Sequence, residues 1–183
     1  LLPADVPTYA DGAAALVLVN QELVHDAHKA VQVSASEIAT DTLALYERAD
    51  LLAFEAVRLS TERALKKAKL MRDHVNLFEL WDSPSIYAML SLEAAGFAER
   101  GKGWQFATLE NIALSGCLPI ATMGGIEGHG FAPAAAGVYQ VVDAVQQLRG
   151  EAGKNQVPYA QVALTQAISG AGASAITHIL RKI

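Results

Sequence analysis

Twenty residues, Leu118 to Gly137, constrain this chain more than any other stretch: LPIATMGGIEGHGFAPAAAG. A short apolar run leads into Gly124, Gly125, Gly128 and Gly130, and Pro133 with three alanines then opens a helix. Small residues at this density predict a strand–loop–helix turn in which backbone comes close to a neighbour or a ligand.

The rest of the chain supplies strands and helices in alternation. Ala13 to Val19, AAALVLV, follows the turn signal Asp11-Gly12 and reads as a strand buried on both faces. Asn20 is placed to cap a short helix reaching about Lys29. Residues 30–36 alternate as a second strand, and residues 37–51 read as a loop with one helical turn. Ala53 to Leu70 is helical, with Phe54, Val57, Thr61, Ala64, Leu65 and Ala68 on one face. Val75 to Leu80 is a third strand, ended by Trp81-Asp82-Ser83-Pro84. Ser83 as N-cap and Pro84 at the first helical position predict a helix to about Ala95. Residues 99–117 read as loop, and Leu118 to Ala121 as a short strand. Pro133 starts a helix whose core face is Val138, Val141, Val142, Val145 and Leu148, with Gly150 at its end. Gln161 to Ile168 and Ala173 to Leu180 form a closing hairpin about Ser169-Gly170-Ala171-Gly172. The sum is an α/β chain with a mixed, buried sheet covered by helices.

Composition narrows the function classes. The 183 residues are 52% apolar and 18% charged, which calls for layers buried on both sides or a sizeable subunit interface. The net charge of −5 and a lone basic run, Lys66-Lys67-Ala68-Lys69, on a helix argue against nucleic acid. The single Cys117 permits no internal disulfide and no cysteine-based zinc site, reads as a small buried side chain, and fits a reducing cytoplasm. No apolar run approaches the roughly 18 residues of a membrane span, and no secretory signal is visible. The start Leu1-Leu2-Pro3, without methionine, is what a fragment, a processed chain or part of a longer protein would show.

Several stretches together resemble the thiolase family in its C-terminal half, and most closely the sterol-carrier-protein-type thiolases of bacteria and archaea. They are Asp11-Gly12-Ala13-Ala14-Ala15, Glu79-Leu80-Trp81-Asp82, Leu118-Pro119 with Gly124-Gly125, the segment from Gln147 to Gly153, and Gln161-Val162-Ala163-Leu164. The resemblance implies a thiolase-like layered α/β fold. Residues 1–29 would be the last strand and helix of an N-terminal-type domain, and residues 30–183 a C-terminal-type domain. It implies an absent first half that carries the nucleophilic cysteine and most of the coenzyme A contacts.

It also implies three active-site positions. Thiolase chemistry joins or breaks a carbon–carbon bond beside a thioester, and needs a thiolate, a base and oxyanion donors. The family's Asn or His after the third strand falls on Trp81, whose indole donates but cannot take a proton. The fourteen residues from Gly124 to Gly137 match the family's loop length, and the ungapped register puts Phe131 at the catalytic His and Ala132 at the following Pro. The second Cys falls on Gln166 or Ala167, depending on a one-residue register. His129, two residues before Phe131, is the one residue of the right type to take over as base, and Asp82 beside Trp81 is the other candidate. The plain alternatives are a loop histidine and a cap on the helix that follows Asp82. Tyr87 and Tyr139 follow the active-site loops, where a tyrosine could act as a general acid. His25 and His28 share a helix face without a third metal ligand, and His74 and His178 show no partner. No metal is expected.

Two functions follow from the resemblance. One is a thiolase-like chain of acyl-CoA metabolism with its catalytic residues replaced, working as a non-catalytic or partner subunit of a carbon–carbon bond forming or cleaving assembly. The other is an active acyltransferase, or a thiolase-fold aldolase or lyase, using His129, Asp82 or a tyrosine. A coenzyme A thioester is the ligand implied. The partners implied are a second copy, a thiolase N-terminal half or catalytic thiolase chain, and a small OB-fold zinc-ribbon protein.

Overall fold

The computed structural model describes residues 2–24 and 29–183. Four strands make one mixed sheet: β1 (Val31–Thr40), β2 (Leu77–Glu79), β3 (Val162–Ser169) and β4 (Ser174–Lys182). Their order across the sheet is β1–β4–β3–β2. The β1–β4 and β4–β3 pairs are antiparallel and β2 lies parallel to β3. Ile120 adds a single parallel bridge to Phe78 on the outer side of β2.

Six α-helices are described: α1 (Glu55–Ala68), α2 (Ile86–Ala94), the single turns α3 (Gly103–Phe106) and α4 (Leu109–Ile112), α5 (Gly125–His129) and α6 (Ala136–Arg149). The period-two alternation of the strands sorts their side chains between two helix layers. Leu164 and Ile168 of β3 and Ala175 and Ile179 of β4 pack with Phe54, Val57, Ala64 and Leu65 around α1, and Leu92 of α2 joins the same core. On the other face Ala163 and Leu180 pack with Ala144 and Leu148 of α6 and with Val157. A mixed sheet between helix layers is the architecture expected from the alternating pattern.

Several local expectations change. Ala13 to Val19 has no regular secondary structure and joins no strand among the described residues, and Val17, Leu18 and Val19 stand exposed. An apolar run becomes a strand only where neighbours pair its backbone, and none of the four strands pairs with it. Asn20 does cap, with its Oδ1 accepting from Glu22 N at 3.2 Å, but the turn is the 3-10 segment Gln21–Leu23. The His25/His28 pair lies outside the described residues. The second strand runs on to Thr40, because β4 continues to pair with it.

Helix α2 starts at Ile86 rather than at Pro84. The Ser83–Pro84 peptide is cis, and Ser85 rather than Ser83 holds the cap position, its hydroxyl bonded to Asp5 Oδ1 at 2.9 Å. In α6 the buried stripe is Ala136, Gln140, Asp143, Ala144, Gln147 and Leu148, while the valines are half-buried. Of that inward polar stripe, Gln147 meets buried polar partners, as described below. Cys117 is exposed, with Sγ 3.5 Å from Asn111 Oδ1, and is not a core side chain.

The β3–β4 turn is the tightest point of the hairpin. Gly172 has φ +84°, and a Cβ there would lie 2.8 Å from Phe54 Cδ1. Gly172→Ala therefore combines left-handed strain with overpacking of a core ring, and should cost roughly 2–4 kcal/mol. Urea unfolding read at equilibrium tests this, and an unchanged midpoint would show that the turn relaxes freely.

Candidate functional site

The end of β2 and the glycine turn are joined by carboxylates. Glu79 is fully buried, and both its oxygens accept from Thr122 N at 3.2 Å while one also takes the Thr122 hydroxyl. Thr122 Oγ1 in turn accepts from Gln147 Nε2 of α6 at 2.9 Å. Gln147 Nε2 also donates to Asn155 O at 2.8 Å, and its Oε1 accepts from Val157 N at 2.7 Å. Asp82, three residues after Glu79, accepts from Ile126 N at 2.9 Å through Oδ1. The two carboxylates thus grip the turn on both sides of Gly124 and Gly125. Asp82 is a helix cap, but for α5 across the fold rather than for the helix that follows it. A Cβ on Gly125, at φ +61°, would come within 2.0 Å of Asp82 Oδ2, so only glycine admits this grip.

Burial governs the electrostatics. Desolvation raises Glu79 from the ordinary 4.5 to about 7, against the pull of its Thr122 hydrogen bonds, and nearby Asp143 and Asp82 push it the same way. Asp82 is also raised, chiefly by burial, and is partly held down by the α5 amides and by His129. Burial raises Asp143 as well. A small cavity of about 10 Å³ lies among Glu79, Asp143, Gln140, His129 and Tyr139. That is room for about one water molecule.

A larger open cleft of about 670 Å³ lies on the α6 side of the sheet, between the ends of β3 and β4 and the loop after α5. Trp81, Phe131 and Ala167 all line it, together with Tyr87, Leu16 and Ile176. The Trp81 and Phe131 rings meet edge to face with centroids 5.9 Å apart, and Tyr9 packs on Phe131 at 5.4 Å. Backbone bonds pin Phe131 to the N-terminal segment: its N donates to Thr8 O at 2.8 Å, and its O accepts from Ala10 N at 3.0 Å. The two β3 candidates point to opposite faces of the sheet. Ala167 faces this cleft, while Gln166 points to the opposite face and donates to Thr61 Oγ1 and Thr177 Oγ1, both at 3.1 Å.

The other sequence candidates lie elsewhere. His129 is exposed, bonds Met123 O at 2.8 Å through Nε2, and packs on Tyr139 with centroids 5.8 Å apart. It lines the small cavity and not the cleft. Gly128 and Gly130 flank it, and Gly130 closes α5. Tyr139 packs against Gly12, where a Cβ would meet its hydroxyl at 2.3 Å. His74 Nδ1 accepts from Met71 N and serves its own turn. His178, given no partner by sequence, lines the cleft and bonds Ser36 Oγ at 3.0 Å. Sequence patterning could not find that pair, because it depends on the β1–β4 register. Nor could it find the Glu79–Thr122–Gln147 network, whose members are far apart in sequence. Among the described residues no group of three or more His, Cys, Asp or Glu side chains could hold a metal ion, and no helix is long and apolar enough to cross a membrane.

Comparison with known proteins places this geometry in a family. Residues 36–182 match the sequence profile described as Thiolase C-terminal domain-like. The chain is 35% identical over 179 residues to an acetyl-CoA acetyltransferase of Methanothermobacter thermautotrophicus, covering 97% of this chain and 47% of that protein. It is 33% identical over 173 residues to sterol carrier protein 2 of Oryctolagus cuniculus, covering 91% of this chain and 32% of that protein. Among solved structures, a chain of the Ltp2-ChsH2(DUF35) aldolase superposes with a TM-score of 0.73 at 22% identity, over 83% of this chain and 39% of that one. The chain thus spans about half, or less, of the length of the curated relatives it matches.

Burial of Glu79 makes stability depend on pH. Its folded-state value lies above its unfolded one, so its contribution is fully present below about 4.5 and is lost as pH rises through about 7. The displacement corresponds to roughly 3 kcal/mol. Stability should fall as pH rises across that window, and Glu79→Gln should flatten the fall. Urea midpoints taken at several pH values decide it, and identical slopes for the two proteins would refute the assignment to Glu79.

Proposed function

The chain belongs to the thiolase family through its C-terminal domain, and from that premise we propose that it serves an acyl-CoA carbon–carbon bond forming or cleaving assembly without performing thiolysis itself. One observation carries the reading. Trp81, Phe131 and Ala167 converge on a single cleft, and none of them can act as thiolate or as base. Gln166, the alternative position, is tied to Thr61 and Thr177 and faces away. His129 bonds the Met123 carbonyl outside the cleft, which supports its reading as a loop residue. Asp82 is engaged as the cap of α5.

The ligand in this reading is a coenzyme A thioester whose acyl part enters the apolar cleft. The assembly would be a homodimer or a hetero-oligomer with a thiolase N-terminal half or a catalytic thiolase chain. A small OB-fold zinc-ribbon protein is the further partner proposed; the solved structural neighbour is itself described as a complex with a DUF35 chain. The exposed Cys117 suits a cytoplasmic setting.

Two measurements test the proposal. The purified chain should give no thiolysis of acetoacetyl-CoA by free coenzyme A, and intact-mass analysis of the native assembly should reveal a second polypeptide with a reactive cysteine. Turnover by the chain alone in the usual enzymatic range of about 1–10³ s⁻¹ would overturn it.

A further inference from the structure

The small cavity between the end of β2 and α6 holds an unanswered donor. Gln140 of α6 lines it, is 6% exposed, and has its Nε2 buried with no partner among the described residues. Asp143, three residues further along α6, lines the same cavity. No hydrogen bond offsets the desolvation of Asp143, and only the His129 charge opposes it. Glu79 closes the cavity from β2. Its oxygens accept from Thr122, and a carboxyl with two oxygens has sites left for a further bond. One buried amide and two buried carboxyls therefore face a shared space.

The lining narrows what that space can take. Each of these groups carries the cost of burial unless something bonds it there. No lysine or arginine lines the cavity, so an anion would meet two carboxyls without a counter-charge. A metal ion is poorly served, because Gln140 presents a donor and, among the described residues, no group of three or more His, Cys, Asp or Glu side chains could hold one. The volume of about 10 Å³ admits nothing larger than a single water. Water both donates and accepts, which is what a donor set opposite carboxyls requires.

We propose that the cavity is the binding site of one ordered water, which joins α6 to the end of β2 through Gln140, Asp143 and Glu79. The water oxygen accepts from Gln140 Nε2, and its two hydrogens go to Asp143 and Glu79. When Glu79 is protonated, its O–H donates to the second lone pair of the water, which continues to serve Asp143. Three bonds are the usual number for a buried water. The site lies outside the cleft and stands independently of any thioester there. It bears on the cleft through the helix, because Gly137, Val138 and Val141 of α6 form part of the cleft wall. The water thus seats a helix whose other flank shapes that wall.

A crystal structure of the protein and one substitution test this. The structure should show a single water within about 3.2 Å of Gln140 Nε2 and of an oxygen of both Asp143 and Glu79. Gln140→Met keeps the length of the side chain and removes both its polar atoms. Were Nε2 merely orphaned, that exchange would be neutral or stabilising. With the water in place it takes away one of three partners, and should raise the unfolding equilibrium constant in urea roughly 5–30-fold. Asp143→Asn can still bond the water and should cost less, and the double variant should cost less than the sum of the two. A cavity without ordered water, a water bonded to neither carboxyl, or a Gln140→Met protein as stable as the parent or more so would each overturn the proposal. If Gln140→Met does not fold, the structure of the parent protein still decides it.

Discussion

The structure depends on two carboxylates that hold a glycine turn from opposite sides. Glu79 and Asp82 leave the end of β2 three residues apart and reach Thr122 and Ile126, which bracket Gly124-Gly125. Each bond alone is modest. Buried together, with Gln147 joining Thr122 from α6, they fix three elements that no covalent neighbourhood connects. The arrangement carries a cost, since Glu79 is desolvated and faces Asp143. Removing one partner would strand a buried polar group, which costs more than the bond itself contributes. This explains why α6 turns Gln147 inward where a valine would have been ordinary. The valines of the helix are left to the cleft and the flank.

The grip also sets where the cleft can be. Once α5 is pinned, the chain from Gly130 onward must run back past Trp81, and Phe131 arrives against its ring. The β3–β4 turn supplies the third wall through Ala167 and Ile176. Helix α6 covers the β2–β3 side of the sheet but leaves the β1–β4 side open, which is why Ile38 and Ile176 remain exposed beside His178. Scaffold and chemistry are separable here. The residues that shape the turn are glycines and capping groups, and those that line the cleft can change without loosening the grip.

What the sequence made legible follows the same division. Period and turn chemistry located α1, β3, β4 and their hairpin, because each is decided within a few residues: Gly172 by its backbone angle, and Leu164 and Ile168 by alternation. The run Ala13 to Val19 was misread, since an apolar run forms a strand only when a partner pairs its backbone, and no strand among the described residues does so. Ser83 and Pro84 carried a sound start signal, yet α2 begins two residues beyond Pro84, at Ile86. The Glu79 network, the cap from Asp82 to Ile126 and the Ser36–His178 pair all depend on register or on contacts more than forty residues away. A single sequence carries no local trace of such contacts. The choice between Gln166 and Ala167 is the clearest case, because one residue of register moves a side chain through the sheet to the other face.

Two aromatic residues of the cleft join Tyr9 in one packed cluster. Tyr9, Phe131 and Trp81 make a continuous three-ring contact, each edge-to-face or tilted pair of the kind that contributes about 0.5–1.5 kcal/mol beyond its buried area. Trp81 is further fixed by its indole donating to Ser83 O at 2.9 Å. Phe131 is fixed by two backbone bonds to Thr8 and Ala10. A histidine placed at 131 alone would therefore face an indole and a phenol ring, with no group to orient its nitrogens, and would lose packing without gaining a catalytic partner. The aromatic cluster is thus a self-consistent apolar surface, bordered on the open β1–β4 side by the row Ser36, His178 and Thr165.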